Sequence, residues 1–140
     1  MAQAPTLLDT DILSELLKQH PIVTRRATQY LTEHLHLAFS LITRYEILRG
    51  LKAKQARAQE AAFETFCQAC MIVPLTEATV SVAADLYGDL YRRGALIPDA
   101  DLLIAATALV EGRTLVTNNR EHFARIGGLT VENWKEPPPE

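Results

Sequence analysis

The chain has 140 residues, of which 48% are hydrophobic and 22% charged, and its formal net charge is −3. This length suits one domain with a substantial core, and the composition is that of an ordinary globular protein. The negative charge excludes a general electrostatic attraction to nucleic acid, so RNA binding would need a local basic patch or a metal ion.

Targeting and membrane signals are not evident in the sequence. The N-terminus lacks a basic stretch that leads into an apolar one, which is the pattern of a signal peptide. The longest apolar run, residues 102–110, is much shorter than the roughly 20 residues that span a bilayer. We therefore expect a cytoplasmic protein without membrane contact.

Short apolar strands alternate with helices along the chain. Strands are predicted at residues 6–9, 37–39, 71–73, 114–116 and 129–131. Helices are predicted at residues 11–18, 21–35, 40 or 43 to 50, 53–70, 76–93 and 99–111, with a short helical turn capped by Asn118. This alternation predicts an α/β fold with a short, mostly parallel sheet of four or five strands flanked by helices. Residues 1–134 would form a single domain, and the Pro-rich residues 135–140 a frayed tail.

Acidic residues lie where this arrangement brings distant segments together. Asp9 ends the first strand, Glu46 lies in the first turns of the helix after the second strand, and Asp101 opens the apolar helix before the fourth strand. Helices that follow parallel strands begin at the carboxyl edge of the sheet, so we expect these carboxylates to meet in one cleft. Asp11 and Asp99 lie beside the first and the last of them.

A cluster of carboxylates needs a cation, because like charges at close range repel and one of them would otherwise take up a proton. Mg²⁺ or Mn²⁺ suits such oxygen ligands and leaves room for water and a substrate phosphate. We therefore predict that Asp9, Glu46 and Asp101 bind Mg²⁺ or Mn²⁺ and that the chemistry is phosphodiester hydrolysis. The four histidines lie away from these acids in the sequence, and no Gly-rich phosphate loop is present.

Each acid also has a purely structural interpretation. Asp11 and Asp99 are suitable helix N-caps, and Thr43 with Glu46 matches a capping box. Asp101 would complement the dipole of its helix. Asp9 is the hardest to explain in this way, because a carboxylate buried at a strand end needs a partner.

Five segments resemble the motifs of PIN domains, particularly the VapC-type toxins of bacterial type II toxin–antitoxin pairs. In chain order they are LLDTDIL (7–13), TRYEILRG (43–50), IPDADLLIAA (97–106), LVTNNREHF (115–123) and GLTVENW (128–134). The resemblance implies a three-layer PIN fold and a Mg²⁺- or Mn²⁺-dependent endoribonuclease that cleaves RNA. It also implies a homodimer inhibited by a cognate VapB-like antitoxin.

The resemblance adds Asn119 to the candidate catalytic residues, at a position where many relatives carry Asp. Asn is neutral and attracts Mg²⁺ less than a carboxylate does, so we expect one well-held metal ion and a second recruited only with the RNA phosphate. A capping box formed by residues 118–121 is the competing interpretation of this segment.

Basic residues between positions 44 and 57 form a second feature with two interpretations. They could line an RNA-binding rim beside the metal, or they could simply form a solvated helix face. The residues concerned are Arg44, Arg49, Lys52, Lys54 and Arg57.

Two other functional classes stay open at this point. One is a catalytically inactive PIN-like module that binds a protein, although a metal-free carboxylate cluster would then destabilise the fold without benefit. The other is a haloacid-dehalogenase-like phosphohydrolase with Asp9 as covalent nucleophile. Its motif normally continues with Gly-Thr, whereas Ile12 and Leu13 follow here.

Overall fold

The computed structural model describes residues 3–138. In this part of the chain the strands are β1 (Thr6–Leu8), β2 (Ala38–Ser40), β3 (Met71–Val73), β4 (Thr114–Val116) and β5 (Val131–Glu132). The helices are α1 (Thr10–Leu17), α2 (Pro21–Leu31), α3 (Leu41–Ala53), α4 (Arg57–Gln68), α5 (Glu77–Arg92), α6 (Asp99–Glu111) and α7 (Arg120–Phe123).

The strands form one sheet in the order β3-β2-β1-β4-β5, and every neighbouring pair is parallel. The predicted α/β fold with a short parallel sheet is confirmed. From β1 the chain winds outward to β3 and then returns to place β4 on the other side of β1. The strand order therefore reverses between β1 and β4, which is where sheets of this kind place their functional residues, beyond the carboxyl ends of the strands.

Successive residues of the central strands pack on opposite faces of the sheet. Leu8 and Val116 pack in the hydrophobic core formed with α1 to α4, whereas Leu7 and Leu115 pack in the core formed with α5 and α6. This alternation is the period of an extended strand. Because both faces are covered by helices, the sheet forms the middle layer of three.

The helix containing Gly50 does not stop there as predicted. Helix α3 continues to Ala53, and the chain turns at Gln55, which has a φ of 54°. A glycine inside a helix costs only about 1 kcal/mol relative to alanine, which the packing of Leu48 and Leu51 against the core can offset. In contrast, α6 ends as predicted at Gly112, whose φ of 64° suits glycine.

The chain after β5 is bonded to the rest of the domain at its beginning. Lys135 donates its backbone N–H to Asn133 Oδ1 at 2.9 Å, and Arg26 Nη1 donates to the Glu136 carbonyl at 3.0 Å. Residues 139–140 lie outside the described residues, so the frayed tail stays a prediction. Between residues 3 and 138, none of the helices combines the length and apolar content needed to cross a membrane.

Candidate metal and catalytic site

Asp9 lies at the point where the strand order reverses, between the end of β1 and the start of α1. It is the N-cap of α1, with Oδ1 accepting the Thr10 N–H at 2.7 Å. The Thr117 hydroxyl, just beyond β4, donates to Oδ2 at 2.8 Å. The residue is only 6% exposed. Both oxygens of this buried carboxylate are thus held in place by its two neighbouring chain segments.

The environment of Asp9 opposes its ionisation. Burial, together with the negative charges of Asp11 and Asp101, raises the pKa of Asp9 to about 7, although the hydrogen bonds from Thr117 and Thr10 act in the opposite direction. A carboxyl group of this kind is about half protonated near neutral pH. A bound cation would reverse this balance, because it favours the ionised form.

Asp11 does not cap α1, contrary to one interpretation of the sequence, because the capping position belongs to Asp9. Its Oδ2 instead accepts the Asn118 N–H at 3.0 Å, which joins α1 to the segment after β4. Its Oδ1 is buried and has no hydrogen-bond partner. Burial raises the pKa of Asp11, whereas the hydrogen bond from the Asn118 N–H and, to a smaller extent, the charge of Lys135 act to lower it. This unsatisfied oxygen is a second sign that the cleft suits a positive charge.

Asp101 lies in the first turn of α6 and contacts the segment after β4, which also contacts Asp9 through Thr117 and Asp11 through the Asn118 N–H. Its Oδ2 is 2.9 Å from His122 Nδ1, and its side chain is 21% exposed. The predicted capping role of Asp99 is wrong: α6 begins at Asp99 itself, Pro98 precedes it, and no side chain caps the helix. A capping side chain belongs to the residue just before the helix, from which it can accept the free N–H groups of the first turn. Asp99 is already the first helical residue and is not in that position.

Glu46 reaches the site through Thr10 rather than through a capping box. Ser40 caps α3, and its hydroxyl accepts the Thr43 N–H at 3.1 Å. The predicted capping box of Thr43 and Glu46 is therefore wrong. Glu46 Oε1 instead accepts from the Thr10 hydroxyl at 2.6 Å, and Oε2 lies 3.5 Å from Arg49 Nη2. Because Thr10 also donates its N–H to Asp9, this one residue joins the two acids.

Asn119 connects the two sides of the cleft. Its backbone N–H donates to the Thr117 hydroxyl at 3.0 Å, and its Nδ2 lies 2.8 Å from His122 Nδ1. It precedes α7 without making a side-chain cap bond. The predicted capping by Asn118 is wrong, because the Asn118 Oδ1 accepts from Asn133 Nδ2 instead.

Three residues of this site were missed in the sequence: Thr10, Thr117 and His122. The histidines were set aside because of their distance from the acids in sequence, yet His122 touches Asp101. A signal was available for the threonines. Each directly follows a strand or the acid that ends it, on the two strands that flank the reversal of strand order.

The residues present fit a hard divalent cation. No group of three or more His, Cys, Asp or Glu side chains within residues 3–138 is close enough to hold an ion jointly. Mg²⁺ nevertheless needs only one or two carboxylates when water and a substrate phosphate complete its octahedron. Asp9 and Asp101 supply such a pair in one cleft. Glu46 stands beside them, bound to Thr10 and Arg49.

Three of the five basic residues between positions 44 and 57 have acidic partners. Lys52 Nζ is 2.8 Å from Glu60 Oε2, and Arg44 Nη2 donates to Glu64 Oε2 at 3.1 Å. Arg49 contacts Glu46, as described above. For these three residues the contacts favour the solvated-face interpretation over an RNA-binding rim.

An open groove of about 590 Å³ lies between α1, α3 and α4, and Thr10 and Glu46 form part of its wall. Most of the remaining wall is apolar and includes Leu17, Ile47, Leu51, Phe63 and Phe66. A largely apolar groove with a carboxylate in its wall can accept a chain segment with both apolar and basic residues.

Comparison with known proteins finds similar sequences and a similar fold. The family described as PIN domain matches residues 6–129. Ribonuclease VapC2 of Rickettsia felis is 31% identical over 129 residues, which cover 91% of this chain and 96% of the relative. Ribonuclease VapC1 of Methanocaldococcus jannaschii is 33% identical, with coverage of 89% and 82%. The crystal structure of VapBC2 from Rickettsia felis bound to a promoter DNA fragment is similar with a TM-score of 0.83 and 29% identity, over 92% of this chain and 98% of that one.

Proposed function

Because the chain belongs to the PIN-domain family, in its VapC-type branch, we propose that it hydrolyses RNA phosphodiester bonds with a bound Mg²⁺ or Mn²⁺ ion and acts as the toxin of a toxin–antitoxin pair. The observation that supports this most is the pairing of Asp9 and Asp101 in one cleft, where burial and like charge make the ionised form of Asp9 unfavourable without a cation. Family membership also removes the haloacid-dehalogenase alternative.

The residues of the site would have separate roles in metal binding and in activation of the attacking water. Asp9 and Asp101 would hold the ion, with Thr117 fixing the orientation of Asp9. When bound, the ion supplies a Lewis acid for the scissile phosphate and lowers the pKa of a water molecule. Glu46, fixed by the Thr10 hydroxyl, can orient the attacking water and accept a proton from it. Asn119 is neutral and can only orient groups by hydrogen bonding, so Asp9 and Asp101 carry the main charge.

RNA cleavage should stop when divalent ions are removed with EDTA and return when Mg²⁺ or Mn²⁺ is added in excess. The measurement is a single-turnover cleavage assay on a mixed RNA substrate, followed by mapping of the cut ends. Asp101→Asn serves as control, since it should stay inactive at ion concentrations that restore the wild type. Unchanged cleavage in EDTA would contradict the metal dependence, whereas no cleavage with either Mg²⁺ or Mn²⁺ would favour the inactive, protein-binding alternative.

The same proposal includes a VapB-like antitoxin as partner. The Rickettsia felis structure is of a VapBC2 complex. In this chain the apolar groove between α1, α3 and α4 suits the apolar face of an amphipathic helix. Glu46, the acidic residue of its wall, would attract an arginine, which pairs well with carboxylates.

Leu17→Glu should weaken antitoxin binding by at least about tenfold, because it places a charge among the apolar residues of the groove. Leu17 is already 38% exposed, so the substitution should not unfold the domain. Leu35→Glu is the matched control, since Leu35 is 89% exposed and is not part of the groove wall. Calorimetric titration of the purified cognate antitoxin gives the two affinities. Equal weakening by both substitutions would place the antitoxin elsewhere.

We also propose that the protein forms a homodimer and acts in the cytoplasm. Two aromatic residues of α5, Tyr87 and Tyr91, are exposed and stack on each other with ring centroids 6.2 Å apart. Exposed aromatic side chains of this kind are enriched at protein–protein interfaces, so they support association with a second copy of the chain.

A further inference from the structure

His122 contacts two residues of the site through a single ring nitrogen. Its Nδ1 lies 2.9 Å from Asp101 Oδ2 and 2.8 Å from Asn119 Nδ2. The side chains of His122 and Asp101 are 32% and 21% exposed, so neither belongs to the core. His122 is held on α7, whose Phe123 is fully buried in the core beneath the sheet. The imidazole is therefore carried by an anchored helix to the edge of the cleft.

The two contacts require opposite hydrogen-bonding roles of Nδ1, one as donor and the other as acceptor. A neutral imidazole has one N–H, so Nδ1 can either donate a hydrogen bond or accept one. The amide Nδ2 of Asn119 is a donor and needs Nδ1 as acceptor. An ionised Asp101 is an acceptor and needs a hydrogen on Nδ1. Only the Nδ1–H tautomer can hold the ionised carboxylate, and the Asn119 amide must then turn its oxygen toward the ring.

Asn119 extends this contact to the other carboxylate of the site. Its backbone N–H donates to the Thr117 hydroxyl, which itself donates to Asp9 Oδ2. His122, Asn119 and Thr117 thus form a continuous series of contacts between Asp101 and Asp9, in which Asp101 and the Asn119 side chain share His122 Nδ1. Hydrogen bonds to a ligating carboxylate fix its orientation before an ion binds, and removal of such a partner typically costs on the order of 10- to 100-fold in metal affinity.

We propose that His122 is a positioning residue of the metal site, which in its Nδ1–H tautomer holds the Asp101 carboxylate in the orientation that binds the divalent ion. The inference rests on the proposed function, since it requires that Asp101 binds an ion. His122 would act indirectly, through Asp101, and Asn119 is the residue that competes for the same nitrogen. A simple ion pair at this degree of exposure would contribute little to folding and nothing to metal affinity.

Calorimetric titration of Mn²⁺ in the absence of RNA tests the role of His122 directly. His122→Ala should weaken Mn²⁺ binding by about 10- to 100-fold. His122→Asn should recover much of this loss, because its amide nitrogen can occupy the place of Nδ1 and donate to Asp101. His36→Ala is the control for adventitious binding to histidine, since His36 is exposed and contacts the Ala69 carbonyl at the other end of β2. Thermal melts in EDTA establish that all variants are folded.

The possible results separate this inference from the function on which it rests. If the wild type itself binds no Mn²⁺, the proposed function is wrong. If the wild type binds Mn²⁺ and His122→Ala binds it equally well, only the role of His122 is wrong. A loss in His122→Ala that His122→Asn does not recover at all would also overturn it, because the donor at Nδ1 would not be what matters.

Long-range ¹H–¹⁵N correlation spectra give a second readout on the unmodified protein. The spectra are recorded with Mg²⁺ and with EDTA at alkaline pH, at which imidazole side chains are neutral. His122→Ala identifies the signals. With Mg²⁺ we expect the Nδ1–H tautomer of His122. The Nε2–H tautomer in the presence of Mg²⁺ would overturn the proposal, because that ring cannot donate to Asp101.

Discussion

RNA cleavage is expected to fall by on the order of a hundredfold to a thousandfold when Asp9 is replaced by Asn, the loss typical for one electrostatic stabiliser of a transition state. The amide has the same shape but no negative charge, so it binds a divalent ion poorly. The fold should be preserved, because Asn is as good an N-cap as Asp and its oxygen can still accept from Thr10 or Thr117. Single-turnover cleavage at saturating Mg²⁺ measures the effect.

Asp89→Asn is the matched control for this experiment. It removes one carboxylate from α5, where Asp89 is exposed, pairs with Arg93 at 2.7 Å and makes no contact with the residues of the site described above. The change in net charge is the same in both variants, so any general effect on RNA attraction cancels. Cleavage by Asp9→Asn at the rate of Asp89→Asn would remove Asp9 from the metal site.

The free energy of unfolding of the metal-free protein should decrease by up to about 4 kcal/mol as the pH rises from about 4 to about 8. The pKa of Asp9 is 3.8 in its ordinary state and about 7 in the folded protein. Between these values the folded state binds more protons than the unfolded state, so stability is lost as the pH rises. Each unit of difference is worth about 1.4 kcal/mol. The pKa of Asp11 is also raised, so this residue likewise makes the folded protein less stable as the pH rises.

Asp9→Asn should remove most of this pH dependence and should therefore be more stable than the wild type in EDTA at about pH 8. Denaturant unfolding at several pH values, for both proteins, gives the difference and cancels groups that titrate equally in each. Saturating Mg²⁺ should restore part of the lost stability in the wild type only, because the ion binds the folded state. Parallel pH profiles for the two proteins would contradict the assigned environment of Asp9.

Periodicity and turn residues were sufficient to predict most of the fold. The apolar run before Gly112 gave the bounds of α6 correctly, and the strands at residues 71–73 and 114–116 were also predicted at their observed positions. The end of α3 was missed, because Gly50 was interpreted as a stop while the packing of Leu51 carries the helix onward. Such errors arise where tertiary contacts outweigh a local preference.

The site was predictable to the extent that it depends on strand ends. Asp9 was placed correctly because it follows β1, and Asp101 because it opens a helix that returns to the same edge. The partner of Glu46 could not be predicted in the same way, because a capping box and a bond to Thr10, which is 36 residues away, suit the same side chain equally well. The contact between His122 and Asp101 likewise depends on how α7 lies against α6.

The pairing of β1 with β4 has a consequence for biosynthesis. Thr6 is in register with Thr114, and the bond between Thr117 and Asp9 spans 108 residues. A ribosome makes the chain from its N-terminus, so Asp9 emerges early and has no Thr117 hydroxyl, no Asp101 and no His122 to meet. The cleft is therefore among the last parts of the domain to assemble during translation. A nascent chain therefore lacks the completed cleft until the segment through His122 has left the ribosome.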